Sequence, residues 1–177
     1  MEEGENEIKL IFLHSCGAGS TNIINVANGF SFNPNERATI SNTFVTKNII
    51  FKGKKYQLNL WDTSGKESFR NLTKIFIRDS KIVIFIYDIT SQNSFEELEY
   101  WIKTAKEILG DKFIAGIMGN KIDLYNKNSV NKERAYEFAK SNKMKLKFVS
   151  AKNNSKGISN FIDELAYDYL SSINDKI

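Results

Sequence analysis

The stretch Ile8-Lys-Leu-Ile-Phe-Leu13, continued by His14-Ser-Cys-Gly-Ala-Gly-Ser-Thr21, decides how this chain folds. Its first part is a short apolar run, too short for a buried helix and long enough for a strand covered on both faces. Gly17 and Gly19 then loosen the backbone, and Thr21 opens a segment with helical character. A strand, a glycine loop and a helix start together supply backbone N–H groups and a helix dipole that can hold a phosphate. The stretch therefore has the outline of a phosphate-binding loop.

This loop departs from the usual pattern G-x-x-x-x-G-K-[ST] at two positions. His14 stands where the first glycine belongs and Ser20 replaces the lysine, whereas Gly19 and Thr21 match the pattern. The outline of the loop is kept and its chemistry is altered. Taken alone, the stretch is a weak signal and favours a plain strand, turn and helix over a phosphate-binding loop.

Composition favours one globular domain. The chain has 177 residues, of which 41% are hydrophobic and 26% are charged, so we predict a single domain over residues 1–177. One cysteine, Cys16, excludes an internal disulfide and is typical of a reducing compartment. The net charge of +4 comes from scattered lysines, which indicates solvated faces and no nucleic-acid partner.

Apolar runs and helical spacing alternate along the chain. Strands are predicted at Ile8–Leu13, Phe44–Phe51, Tyr56–Trp61, Ile82–Tyr87, Phe113–Met118 and Leu146–Val149, with a hairpin turn at Lys52–Lys55. Helices are predicted after Thr21, over Phe95–Leu109 with Ser91 or Asn93 as the cap, around Ala135–Ala139 and over Ile158–Tyr169. This order predicts an α/β domain with a mostly parallel sheet and one antiparallel hairpin. Ligands of such sheets bind at the carboxyl ends of the strands.

Polar motifs follow the predicted strands in a fixed order. They are the D-x-x-G motif Asp62-Thr-Ser-Gly65, the N-K-x-D motif Asn120-Lys-Ile-Asp123 and the S-A-K motif Ser150-Ala-Lys152. Together they resemble a small GTPase of the Ras superfamily, from about Ile8 to Leu170. Features similar to the Rab branch are Trp61–Phe69, Ile77–Ser80, Tyr87–Thr90, Asn93–Phe95 and Trp101. The resemblance implies the P-loop small-GTPase fold, with a six-stranded sheet and helices on both faces.

The resemblance also implies how a nucleotide is held. The implied ligand residues are Gly17, Gly19, Ser20, Thr21, Phe32, Asn120, Lys121, Asp123, Ser150, Ala151 and Lys152. Asn120 and Asp123 would read guanine, because a carboxylate accepts from guanine N–H groups and would face an acceptor in adenine. Lys121 would pack beside the base and brace the phosphate loop. The Ala151 N–H would donate to the guanine oxygen, and Phe32 would contact the base from the side.

Metal and catalytic roles follow from the same resemblance. Thr21 and Thr39 would supply hydroxyls to Mg²⁺, and Asp62 would hold the ion through water. Thr39 lies in Ala38-Thr-Ile40, which resembles the first switch of the family. Lys66, Thr39 and Gly65 are the implied catalytic residues, but Lys66 stands where the family carries the glutamine that orients the attacking water. Very slow hydrolysis is therefore expected.

The implied function is a Rab-like small GTPase domain that binds GTP or GDP with Mg²⁺ and acts as a switch or scaffold in vesicle trafficking. Effector proteins would bind Phe44, Trp61 and Phe76, although these aromatics could also merely pack the sheet edge. The alternative is a pseudo-GTPase interaction module with lost or vestigial nucleotide binding. No cysteine follows Cys16, so we expect a cytoplasmic protein that is peripheral on endomembranes only if a lipidated tail or partner exists outside this chain.

Overall fold

Six strands and five helices make up the part of the chain that the computed structural model describes, residues 6–40, 43–126 and 129–174. The strands are β1 (Glu7–His14), β2 (Thr43–Phe51), β3 (Lys54–Asp62), β4 (Ile82–Asp88), β5 (Ile114–Asn120) and β6 (Lys145–Phe148). The helices are α1 (Ser20–Ala27), α2 (Arg70–Ile77), α3 (Gln92–Leu109), α4 (Lys132–Ser141) and α5 (Ser155–Asn174). Short 3-10 turns cover Glu67–Phe69 and Ile122–Leu124.

The strands form one sheet in the order β2-β3-β1-β4-β5-β6. Only the β2–β3 pair is antiparallel, and the pairs β1–β3, β1–β4, β4–β5 and β5–β6 are parallel. The predicted α/β architecture, with one hairpin on a mostly parallel sheet, is therefore confirmed. The carboxyl ends of β1, β3, β4, β5 and β6 lie at one edge, which brings together the loops that carry the predicted motifs.

Helices cover both faces of the sheet, and alternate residues of β1 point to the two faces. On one face Leu10 and Phe12 pack with Ile162 and Leu165 of α5. On the other face Ile11 and Leu13 pack with the side chains of α3, including Leu98, Trp101 and Ile102. Burial on both faces explains why β1 is nearly continuous in apolar residues.

Some boundaries differ from those predicted. His14 is the last residue of β1 and lies before the glycine loop, and β6 ends at Phe148, one residue earlier than predicted. The cap of α3 is Ser91, whose hydroxyl accepts from the Ser94 N–H at 3.2 Å. Helix α2 was missed because it is short, has no side-chain cap and buries only Thr73 and Ile77. No helix in the described ranges is long and apolar enough to cross a membrane.

Candidate functional site

A cleft of about 570 Å³ opens at the carboxyl edge of the sheet, within the usual size of a small-ligand site. Most predicted ligand and catalytic residues line it: Gly17, Gly19, Ser20, Thr21, Phe32, Thr39, Gly65, Lys66, Asn120, Lys121, Asp123, Ala151 and Lys152. Asp62 and Ser150 do not line it, but each bonds a residue that does, Thr21 and Asp123 respectively. Residues from distant parts of the chain therefore share one cleft.

The loop between β1 and α1 needs glycine at Gly19. This residue has φ of +88°, and a Cβ there would lie 2.7 Å from the Asn120 amide nitrogen. That Asn120 nitrogen donates to the Ala18 carbonyl at 2.9 Å. A side chain at position 19 would therefore be strained and would separate the loop from the N-K-x-D motif.

A second close approach joins the same loop to the D-x-x-G motif. A Cβ on Gly65 would lie 2.6 Å from the backbone nitrogen of Cys16, so only glycine fits. His14, which is 4% exposed, spans the two segments. Its Nδ1 lies 2.8 Å from the Ser15 carbonyl and its Nε2 lies 3.0 Å from the Thr63 carbonyl. The His14 ring therefore lies within hydrogen-bond distance of one carbonyl from each segment.

Hydroxyl groups gather around the carboxylate of Asp62. Thr21 Oγ1 donates to Asp62 Oδ2 at 2.6 Å, and Thr39 Oγ1 donates to the same oxygen at 3.3 Å. The two threonine hydroxyls are 2.9 Å apart. Ser20 Oγ donates to the other oxygen, Asp62 Oδ1, at 2.8 Å. Mg²⁺ prefers oxygen ligands, including those of hydroxyl and carboxylate groups, so this set of side chains fits that ion.

At the opposite end of the cleft, Asn120 is 2% exposed and its side chain bridges two segments. Besides donating to Ala18, it accepts from the Ala151 N–H at 3.2 Å. The predicted bond from Ala151 to a guanine oxygen stays a prediction, because in the structure this N–H faces Asn120. Asp123 is exposed, and its Oδ1 accepts from the Ser150 hydroxyl at 2.6 Å.

Lys121 and Phe32 flank this end of the cleft. Lys121 adopts a left-handed conformation with φ of +67°, and its ammonium lies 2.7 Å from Asp88 Oδ2. Phe32 is half-buried and packs against the core. Asn22 fixes the chain next to it, because Asn22 accepts from the Asn33 N–H and donates to the Asn33 carbonyl, both at 2.8 Å. Neither Asn22 nor Asp88 is predicted from the sequence as a residue of this site, although a polar residue just inside the start of α1 was a signal for Asn22.

Two further cations line the phosphate-loop end. Lys66 is half-buried and follows Gly65, and Arg37 is exposed and precedes Ala38 and Thr39. Arg37 was also missed, because a charged residue in a polar segment gives no signal in the sequence. This end of the cleft therefore has cations on the two polar segments that carry Arg37 and Lys66, and a serine at the loop position usually held by lysine.

The aromatic cluster predicted for partners is present as three touching rings. The Phe44 and Trp61 rings stack with centroids 4.9 Å apart, and the Trp61 and Phe76 centroids are 5.4 Å apart. Phe44 is 49% exposed, whereas Trp61 and Phe76 are partly buried against the core. Lys9 lies 4.9 Å from the Trp61 ring centroid, and burial lowers the pKa of its ammonium, with Asp79 opposing that shift. Partner binding by these rings stays a prediction.

Comparison with known proteins identifies a family and several relatives of this chain. The model of the Ras family matches residues 9–170. The chain is 38% identical to the Ras-related protein Rab-21 of Geodia cydonium over 158 residues, which cover 89% of this chain and 69% of that protein. It is 32% identical to the Ras-related protein Rab-30 of Homo sapiens over 163 residues, which cover 92% of this chain and 80% of that protein.

Proposed function

The chain belongs to the Ras family of small GTPases and is Rab-like, and on that premise we propose that it binds GTP and GDP with Mg²⁺ in the cleft described above. One observation carries the proposal. Residues of the phosphate loop, Thr39, the D-x-x-G motif, the N-K-x-D motif and the S-A-K motif line this cleft or bond directly to its lining. Members of the family bind GTP or GDP with Mg²⁺ in general.

Guanine selectivity is assigned to the end of the cleft that carries Asp123. Its carboxylate uses one oxygen for the Ser150 hydroxyl, which leaves the second oxygen to accept from guanine N–H groups. Adenine offers an acceptor at the equivalent ring position, so its binding would set two acceptors against each other. Asn120, which is also expected to read guanine, and Lys121 would brace this end through their contacts with Ala18 and Asp88.

The metal would be held by the hydroxyls of Thr21 and Thr39, with Asp62 acting through water. Bound there, Mg²⁺ supplies neutralisation of the phosphate charge. The distances of 2.6–3.3 Å among these hydroxyls and the Asp62 carboxylate support this assignment. Thr39 would thus link the segment that resembles the first switch of the family to the metal site.

Hydrolysis is proposed to be very slow. Lys66 follows Gly65 where the family carries a glutamine, and a lysine has no amide oxygen to accept a hydrogen bond from the attacking water. The protein would then work as a long-lived switch or a scaffold in vesicle trafficking, peripheral on endomembranes. Its effectors would contact the aromatic cluster of Phe44, Trp61 and Phe76.

The second candidate is a pseudo-GTPase interaction module. The observation that favours it is the contact of the Ser20 hydroxyl with Asp62 at 2.8 Å. The phosphate loop has no lysine ammonium, and the hydroxyl that replaces it is already bonded to a protein group. In that case the cleft would keep its shape and bind nucleotide weakly or not at all.

The nucleotide content of freshly purified protein separates the two candidates. The protein is denatured, and the released small molecules are identified by ion-exchange chromatography. We expect GDP or GTP at close to one molecule per chain. Protein that releases no nucleotide and also fails to bind labelled GDP in millimolar Mg²⁺ would favour the pseudo-GTPase.

A further inference from the structure

The two residues that depart from the phosphate-loop pattern lie on either side of one carboxylate oxygen, Asp62 Oδ1, one bonded to it and the other near it. Ser20 Oγ donates to Asp62 Oδ1 at 2.8 Å, and His14 Nε2 lies 4.0 Å from the same oxygen. Ser20 is 2% exposed and His14 is 4% exposed. Both departures therefore act on the D-x-x-G motif, which lies more than forty residues away in the sequence.

Each oxygen of the Asp62 carboxylate has its own donors. Oδ1 accepts from Ser20, and Oδ2 accepts from Thr21 and Thr39. Hydrogen bonds on both oxygens fix the rotation of the carboxylate plane, as the outer contacts of metal ligands usually do. His14 adds to this by holding the backbone one residue further on, at the Thr63 carbonyl, at 3.0 Å.

We propose that Ser20 is a positioning residue for Asp62 and serves the metal side of the site, not the phosphates. A serine hydroxyl has a single hydrogen, so while it donates to Asp62 it cannot donate to a phosphate oxygen. The inference rests on the proposed function, because it assumes that Asp62 acts on Mg²⁺ beside a bound nucleotide. It follows that the Ser20 hydroxyl strengthens the effect by which Mg²⁺ slows the release of bound nucleotide.

Removal of the Ser20 hydroxyl should therefore weaken the response to Mg²⁺ and leave binding without Mg²⁺ unchanged. A hydrogen bond to a charged group corresponds to about a tenfold or larger change in an equilibrium constant. We expect Ser20→Ala to raise the Mg²⁺ concentration that half-maximally slows GDP release by about tenfold or more. Ser20→Thr, which keeps the hydroxyl, should restore most of the response.

The measurement is the release rate of GDP that carries a fluorescent N-methylanthraniloyl group, from EDTA to millimolar Mg²⁺. Ser80→Ala is the matched control, since the Ser80 hydroxyl is also buried, has no hydrogen-bond partner among the described residues and lies outside the cleft. We expect wild-type behaviour from this variant. Thermal denaturation of each variant verifies that it is folded.

The Asp62→Ala background separates positioning from a direct phosphate contact. If Ser20 acts through Asp62, Ser20→Ala should have no further effect there. The inference is overturned if Ser20→Ala speeds release as much in EDTA as in millimolar Mg²⁺, or if its effect persists without Asp62. An unchanged Mg²⁺ response in Ser20→Ala also overturns it, while the proposed function stands. Wild-type protein that binds no labelled GDP at any Mg²⁺ concentration overturns the proposed function and the inference with it.

Discussion

At the base end of the cleft the motif side chains hold neighbouring loops, whereas at the phosphate end they hold a carboxylate. Asn120 bonds Ala18 and Ala151 at 2.9 and 3.2 Å, and it is a residue that the N-K-x-D pattern requires. Ser20 bonds Asp62 at 2.8 Å, and it is a replacement for the pattern's lysine. The base end keeps its motif residues, while the phosphate end differs at His14, Ser20 and Lys66.

The physical reason for this difference lies in what each side chain contacts. Replacing Asn120 would leave a buried carbonyl and a buried N–H without their partner, which costs roughly 1–3 kcal/mol for each group. A phosphate-loop lysine contacts the ligand, so its replacement leaves no buried protein group unpaired if the new side chain finds a partner, as Ser20 does. The phosphate end of the cleft can therefore lose a ligand-binding side chain while the fold around it is kept.

The largest expected effect is at Asp123, which tests whether the base end still selects guanine. Asp123→Asn should weaken GDP binding by about 100-fold or more, because an amide replaces the carboxylate as acceptor of guanine N–H groups. The measurement is competition of labelled GDP with unlabelled GTP and ATP. Asp111→Asn, an exposed carboxylate outside the cleft, is the control. If ATP displaces labelled GDP from the wild-type protein as well as GTP does, the assignment of guanine selectivity is wrong.

A variant of the aromatic cluster next to Asp62 tests whether the protein, with its altered phosphate end, still binds effectors as a switch does. An effector that prefers the form loaded with a GTP analogue should lose about 30-fold in affinity for Trp61→Ala, the scale of an aromatic hot spot. The free energy of unfolding should fall by no more than about 1–2 kcal/mol.

Phe44→Ala supplies the matched variant, because Phe44 is the most exposed ring of the three. Loss of effector binding in both variants, with the fold intact, supports the hypothesis that these rings form an effector-binding surface. Unfolding of Trp61→Ala together with normal binding by Phe44→Ala would mean that the rings only pack the sheet edge.

A smaller effect is expected when the glutamine of the family is restored. Lys66→Gln should raise the rate of single-turnover GTP hydrolysis by less than about tenfold, because Ser20 still offers the phosphates no ammonium and the roughly 10⁵-fold contribution of an activating protein is absent. The rate is measured as phosphate release from preloaded GTP. Wild-type hydrolysis that already matches ordinary members of the family would contradict this view of Lys66.

The smallest effect concerns charge at the phosphate end. If the Lys66 ammonium reaches the γ-phosphate, Lys66→Ala should lose about fivefold more affinity for a non-hydrolysable GTP analogue than for GDP, the scale of one charge-assisted hydrogen bond. Lys152→Ala is the control, since Lys152 lines the base end and should affect both nucleotides equally. Equal losses in Lys66→Ala would leave Ser20 uncompensated and favour the pseudo-GTPase.

Local patterns in the sequence determined the fold and the order of the motifs. The mostly apolar runs of Ile8–Leu13 and Ile82–Tyr87 predicted the central strands, because burial on both faces favours apolar residues there. The glycine requirement at Gly19 and Gly65 could be predicted as a pattern, but not as the contacts with Asn120 and Cys16 that explain it. Helix α2 could not be predicted, since a short helix with few buried residues has little periodicity.

Only the tertiary structure decided what the replaced side chains do. In the sequence, His14 and Ser20 are two losses from a phosphate loop, with no indication of new partners. Their contacts with Thr63 and Asp62 join segments 49 and 42 residues apart, and such contacts exist only after β1 and β3 have paired side by side. Period and composition record which face of an element is buried, whereas a hydrogen bond between distant polar groups depends on how the whole sheet brings its loops together.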